Sequence, residues 1–147
     1  MNQTIEIEGR TVRYGFVNTG VPHAVVETDS LERCEVEKIG GAIRRHAAFA
    51  PTGANANFIA ITGPASLRIR TYERGVEAET LACGTGIVAS ALVAARQGHV
   101  RPPVRVTSAG GDALTVDFTL SGSGAESVTL LGPAVHVFRG NLEYEPA

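Results

Sequence analysis

Lysine is nearly absent from this 147-residue chain: Lys38 stands alone among 13 basic residues, a bias of composition rather than a functional signal. The basic residues are scattered, and 15 acidic ones bring the net charge to −2. Without a basic stripe there is no electrostatic footprint for nucleic acid or an anionic membrane, so neither is expected as a partner. No apolar segment opens the chain, so no signal peptide or spanning helix is expected, and the expected setting is cytoplasmic. Cysteine is scarce too. Cys34 and Cys83 could form one disulfide at most, and without an export signal both are expected reduced. The histidines, His23, His46, His99 and His136, show no metal-ligand spacing with them, so no metal is expected. There is no internal repeat, heptad or low-complexity tract. What remains is 44% hydrophobic and 19% charged, the profile of one globular domain over residues 1–147 with one proper core.

The most informative stretch is Thr80 to Gly98, TLACGTGIVASALVAARQG. From Ile87 to Ala95 it carries no charge, Arg96 sits in the last turn, and Gly98 is a stop signal. A run apolar on every side predicts a helix buried all round. At ~1.5 Å per residue it is ~20 Å long, too short for a bilayer and right for threading a small domain. Cys83 stands at its start beside Gly84-Thr85-Gly86. A free cysteine is most often a buried structural residue. Glycines at a helix start, however, leave backbone amides uncovered, able to hold a carboxylate and to favour a thiolate.

Around this helix the chain reads as short strands. Thr4–Glu8 and Thr11–Val17 flank a turn at Glu8-Gly9-Arg10, and Ala24-Val25-Val26 follows Pro22-His23. From Glu35, the recurrence of Val36, Ile39, Ile43 and Ala47 predicts an amphipathic surface helix weakened by Gly40-Gly41. Asn55–Thr62 and Ser66–Glu73 are strands. In the second, Leu67, Ile69 and Thr71 alternate with Arg68, Arg70 and Tyr72, predicting one buried and one wet face. Arg74–Glu79 reads as a polar loop. Val104–Thr107, Leu114–Leu120, Val128–Leu131 and Ala134–Phe138 complete a sheet. The expected fold is α+β: a curved, mostly antiparallel sheet wrapped around a buried central helix.

Three further groups bear on Cys83. Glu73-Arg74-Gly75 ends a strand. Alone it is a solvated pair; at the mouth of the cysteine loop it offers a carboxylate and a guanidinium fork suited to a substrate carboxylate. Pro22-His23 follows an Asn-x-Gly turn, and alone His23 is a turn histidine. Asn55 and Asn57 open a strand, where capping is their ordinary use. Cys34 lacks a glycine-rich setting and reads as structural, as do His46, His99 and His136.

Together these residues resemble the C-terminal half of diaminopimelate epimerase. The resemblance is carried by Glu73-Arg74-Gly75 and Glu79-Thr80-Leu81-Ala82-Cys83-Gly84-Thr85-Gly86, and by Asn18-Thr19-Gly20-Val21-Pro22-His23-Ala24-Val25. Asn55-Ala56-Asn57-Phe58 and Gly132-Pro133-Ala134 through Phe138 and Gly140 agree, so nearly the whole chain is covered. The resemblance implies an epimerase without pyridoxal phosphate or metal, interconverting LL- and meso-diaminopimelate with two cysteines, one from each of two similar domains. By position it implies Cys83 as one acid/base, with Gly84 and Thr85 giving amides to the α-carboxylate. Asn55, Glu73 and Arg74 bind substrate, with His23 and Glu73 near the reacting centre.

Two departures stand out. Val21 occupies a position where the family often has asparagine, and no Cys-Gly-Asn-Gly motif occurs. The expected partner is therefore an N-terminal epimerase domain or a second copy of this chain, and the isolated chain is expected to be inactive. The alternatives are a homodimer that builds a pseudo-symmetric racemase site, and a non-catalytic binding or assembly module that keeps the fold.

Overall fold

The computed structural model describes residues 3–144. Strands β1 (Gln3–Ile7) and β2 (Arg10–Asn18) form a hairpin. Its turn residues Glu8 and Gly9 both have positive φ, 50° and 74°, the tight turn that suits the twist of paired strands. β3 (Pro22–Glu27), helix α1 (Val36–Arg44) and a 3-10 turn (Ala47–Phe49) follow. Then come β4 (Asn55–Gly63), β5 (Ser66–Glu73), β6 (Ala78–Thr80), helix α2 (Gly84–Arg96), β7 (Val104–Thr107), β8 (Ala113–Ser121) and β9 (Gly124–Leu131). The strands make one open sheet in the order β1-β2-β3-β4-β5-β7-β8-β9, with β6 pairing β5 off this path. Only β3 with β4 and β5 with β7 run parallel, each pair bridged by a helix-containing crossover; the other pairings are antiparallel. The expected α+β class, a curved, mostly antiparallel sheet around a buried helix, is observed.

Strand parity sorts the core. On β3, β4 and β5 the odd-numbered Val25, Ile59, Leu67 and Ile69 meet α2, together with Val104, Val106 and Val116. The even-numbered Ala24, Ala56, Phe58 and Tyr72 meet α1 through Val36 and Ile43. Fully burying one such large aliphatic side chain is worth about 1.5–3 kcal/mol, so each helix is held by its apolar contacts more than by propensity. The second face of β5 is wet at Arg68 and covered toward Tyr72. Tyr72 is buried against α1, and Arg70 donates to the carbonyls of Leu31 and Cys34. Gly40-Gly41 is no weakness in α1: a Cβ at Gly40 would lie 2.5 Å from Tyr72 Cβ, so glycine is what lets the helix meet the sheet.

α2 ends as its sequence predicts. Gly98 has φ +83°, its amide reaches Ala95 O, and the His99 amide reaches Ala94 O. Nearly every position from Gly86 to Ala95 is buried, with Val88 and Leu92 half-buried. Its length and burial place it through the domain, and among the described residues no helix is long and apolar enough to cross a membrane.

Two stretches differ from expectation. The polar loop after Arg74 contains strand β6. It forms because Glu79 grips Arg70 with both carboxylate oxygens at 2.7 Å and its amide donates to Glu37 of α1, contacts no local pattern announces. Conversely, Ala134–Phe138 is not a strand. Residues 132–144 have no regular structure, and Val135 and Phe138 are 82% and 86% exposed. β character needs a neighbouring strand to become a strand, and β9 is the last in this sheet.

Candidate active site at the head of the buried helix

Cys83 is the N-cap of α2, extended at φ −136° and ψ 106°, and only 8% exposed. Its carbonyl accepts the Ile87 amide at 2.9 Å. No side chain caps the helix, and the amides of a first turn have no intrahelical partner. Gly84, Thr85 and Gly86 thus present N–H groups at the positive end of the helix beside the thiol. Sγ lies 3.6 Å from Thr85 Oγ1. Gly84 and Thr85 themselves are exposed.

Sheet register brings the other predicted residues to this end. His23 pairs with Asn55 across β3 and β4, Asn57 with Thr71 across β4 and β5, and Thr71 with Thr80 across β5 and β6. Asn55 is buried and ties two segments together: its Nδ2 donates to Pro22 O at 3.2 Å, and its Oδ1 accepts the Arg74 amide at 2.7 Å. That clamp sets Pro22-His23 against Glu73-Arg74. Glu73 is half-buried and accepts a hydrogen bond from Thr80 Oγ1 at 2.9 Å, linking it to the approach to Cys83. The Arg74 side chain donates to Thr52 O at 3.3 Å, and among the described residues it makes no ion pair. A cleft of about 470 Å³ has Arg74, Pro22, Phe16, Asn18 and Thr52 on its walls; Cys83 does not line it.

His23 is wholly buried, and its Nδ1 lies 3.0 Å from Asn57 Nδ2. Burial, reinforced by the Arg74 charge, holds its pKa down at about 4 against the Asn57 hydrogen bond. Among the described residues its Nε2 has no hydrogen-bond partner. The loop before it touches the helix start, where Thr19 Oγ1 donates to Thr85 O at 3.2 Å.

Read from sequence, Asn57 has no role beyond capping and the side chains of Thr71 and Thr80 have none, yet they join the members of the site. The available signal was parity, since Asn57 and Thr71 share the face of Ile59 and Ile69 and are polar where that face is otherwise apolar. The remaining candidates keep structural places. His46 Nδ1 accepts the Ala48 amide, and His99 pairs with Glu27 at 2.6 Å. Cys34 is half-buried and free, and burial pushes its thiol pKa up. His136 lies in the exposed stretch after β9. Among the described residues no group of three His, Cys, Asp or Glu side chains is placed to hold a metal ion.

Residues 15–137 match the family model described as diaminopimelate epimerase. The chain belongs to the diaminopimelate epimerase family. It is 44% identical over 144 residues to the diaminopimelate epimerase of Aquifex aeolicus, covering 97% of this chain and 50% of that protein. To that of a Hydrogenobaculum species it is 47% identical over 147 residues, covering 98% and 51%. The chain thus spans about half the length of these curated relatives. Among solved structures, a probable proline racemase from Agrobacterium radiobacter superposes with a TM-score of 0.61 at 15% identity, over 89% of this chain and 45% of that one. A hydroxyproline epimerase from Agrobacterium vitis gives 0.54 at 18%, over 90% and 49%. At such identities the likeness is one of fold, and it agrees with the curved α+β sheet of this family member.

Proposed function

We propose that this chain, as a single domain over residues 1–147, supplies one of two thiol half-sites for the cofactor-independent epimerisation of LL-diaminopimelate to meso-diaminopimelate. The observation that carries the reading is Cys83, buried at the head of α2 with three uncapped amides beside it and the Asn55 clamp and Glu73 close by. In this reading the Cys83 thiolate takes the α-proton, becoming a thiol, and the electron pair stays on carbon. The amides of Gly84 and Thr85 hold the α-carboxylate and take up charge as the carbanion forms. Arg74, free of a carboxylate partner among the described residues, gives the substrate a planar two-donor fork. Asn55 and Glu73 bind its polar groups. A second thiol on the opposite face protonates the carbanion and becomes a thiolate, so the half-sites exchange roles between directions. The chemistry asks for no pyridoxal phosphate and no metal.

One thiol cannot serve both faces of the α-carbon, so an N-terminal epimerase domain is the partner this reading requires. Leu81 and Leu131, 74% and 72% exposed, offer it apolar surface, with Leu130 beside Gly84. A second copy of the chain is the competing partner, since it would cover the same residues; a strictly monomeric mass in solution at working concentration excludes it. A cytoplasmic setting suits reduced thiols. The test is α-hydrogen exchange of diaminopimelate in deuterated water, with and without an N-terminal half. Exchange is expected only with both halves and is lost in Cys83→Ala; robust turnover by the isolated monomer overturns the proposal.

A further inference from the structure

We propose that Asn57 is a positioning residue for His23: oriented by the Ala24 carbonyl and braced by Thr71, its amide fixes the ring as the neutral tautomer with the proton on Nε2, a buried hydrogen-bond donor awaiting a partner. The inference rests on the reading of the Cys83 site above and adds a role to a residue pair outside its substrate contacts.

Asn57 is fully buried. Its Oδ1 accepts from Thr71 Oγ1 at 3.0 Å, and its Nδ2 lies 3.0 Å from His23 Nδ1 and 3.4 Å from Ala24 O. A threonine hydroxyl can give or accept, so Thr71 alone does not orient the amide. The Ala24 carbonyl does, because it can only accept; a flipped amide would set two oxygens against each other. The atom facing His23 is therefore the NH₂ group, a donor, and Nδ1 must be the unprotonated acceptor. A neutral imidazole carries one ring proton, which then sits on Nε2. An imidazolium would oppose an N–H to the amide NH₂, and burial together with the Arg74 charge already disfavours it.

The Nε2–H is buried without a partner among the described residues, in a residue with no exposure. An unmade buried hydrogen bond leaves its group with an uncompensated desolvation cost. A native chain keeps such a group where something else completes it. The site is close at hand. A Cβ built on Gly86 would lie 2.5 Å from Asn57 Oδ1 and 3.3 Å from Cys83 Sγ, so those two atoms are within about 6 Å of each other. With Nδ1 occupied and Nε2 protonated, His23 gives a hydrogen bond at neutral pH and cannot accept a proton from Cys83. Its Nε2–H is left to donate, while proton transfer stays with the thiol.

The test is ¹⁵N NMR of the histidine rings in the full chain at neutral pH, with His23→Gln identifying the signal. The expected spectrum has a pyridine-type Nδ1 and a pyrrole-type Nε2. Asn57→Asp replaces the donor with a carboxylate of the same shape and is expected to move the proton to Nδ1. Thr71→Val removes the brace on Oδ1 but leaves the Ala24 carbonyl in place, so the wild-type pattern is expected to persist. A pyrrole-type Nδ1 or averaged shifts in the wild type overturn the inference, as does an unchanged ring in folded Asn57→Asp. Should that variant not fold, the wild-type spectrum decides. No substrate is needed. The expected tautomer without epimerisation in the two-half assay overturns the proposed function alone. The other tautomer in an assembly that epimerises overturns this inference alone.

Discussion

Replacing Gly86 by alanine tests whether the helix head, the thiol and the buried amide are packed as one unit. On helix propensity alone the change is favourable, by about 1 kcal/mol. The structure opposes it. The new methyl would lie 2.5 Å from Asn57 Oδ1, with Cys83 Sγ and Cβ at 3.3 and 3.4 Å. A carbon–oxygen contact needs roughly 0.7 Å more than that, by the separations at which such atoms pack. Asn57 cannot yield freely, because Thr71 holds its oxygen and His23 and Ala24 hold its nitrogen. Overpacking of this kind costs about 1–3 kcal/mol, and each buried hydrogen bond lost adds about 1 kcal/mol. Set against the propensity gain, the expected net loss is about 1–3 kcal/mol. Urea denaturation measures it as a lower midpoint at unchanged slope, and thermal unfolding as a fall of about 3–10 °C. Stability equal to or above the wild type would refute the reasoning, because Asn57 would then be free to move and the glycine would not be a packing requirement.

Other outcomes follow from the same geometry. His23 has a folded-state pKa of about 4 against an ordinary 6.5, so between those values the unfolded chain binds the extra proton. Stability is full above about pH 6.5 and falls by about 3 kcal/mol as pH drops to 4; in His23→Gln this part of the pH dependence disappears, and equal slopes in both proteins would contradict the assignment. Arg74→Ala removes a charge that opposes protonation of His23, so the ring's pKa should rise in an NMR titration, and a further fall would show that the two groups do not face each other. Gly53 has φ +71°, and a Cβ there would meet the Arg44 guanidinium and carbonyl. Gly53→Ala is expected to cost about 2–4 kcal/mol by denaturant titration, and a neutral result would mean the Thr52–Gly53 turn relaxes without cost.

Much of this molecule is legible in the order of its residues, because the controlling signals are local. The apolar run after Cys83 has no wet side, so α2 has to be buried, and Gly98 ends it through its own backbone freedom. Alternation on β5 and β8 and the spacing of Val36, Ile39 and Ile43 likewise mark strands and a helix without reference to anything distant. The motif around Cys83 points to the family for the same reason, since the thiol and its amides are neighbours in the chain. Only the tertiary structure decided the rest. β6, without local β character, exists because Glu79 reaches Arg70 and Glu37, whereas Ala134–Phe138, which has that character, has no strand to pair with. Asn57 and Thr71 looked like ordinary strand polars. Register across three strands put them in line, and the close approach at Gly86 set them beside Cys83. Their role depends on which donor meets which acceptor across the sheet, and that pairing is fixed by long-range strand register, not by neighbours in sequence.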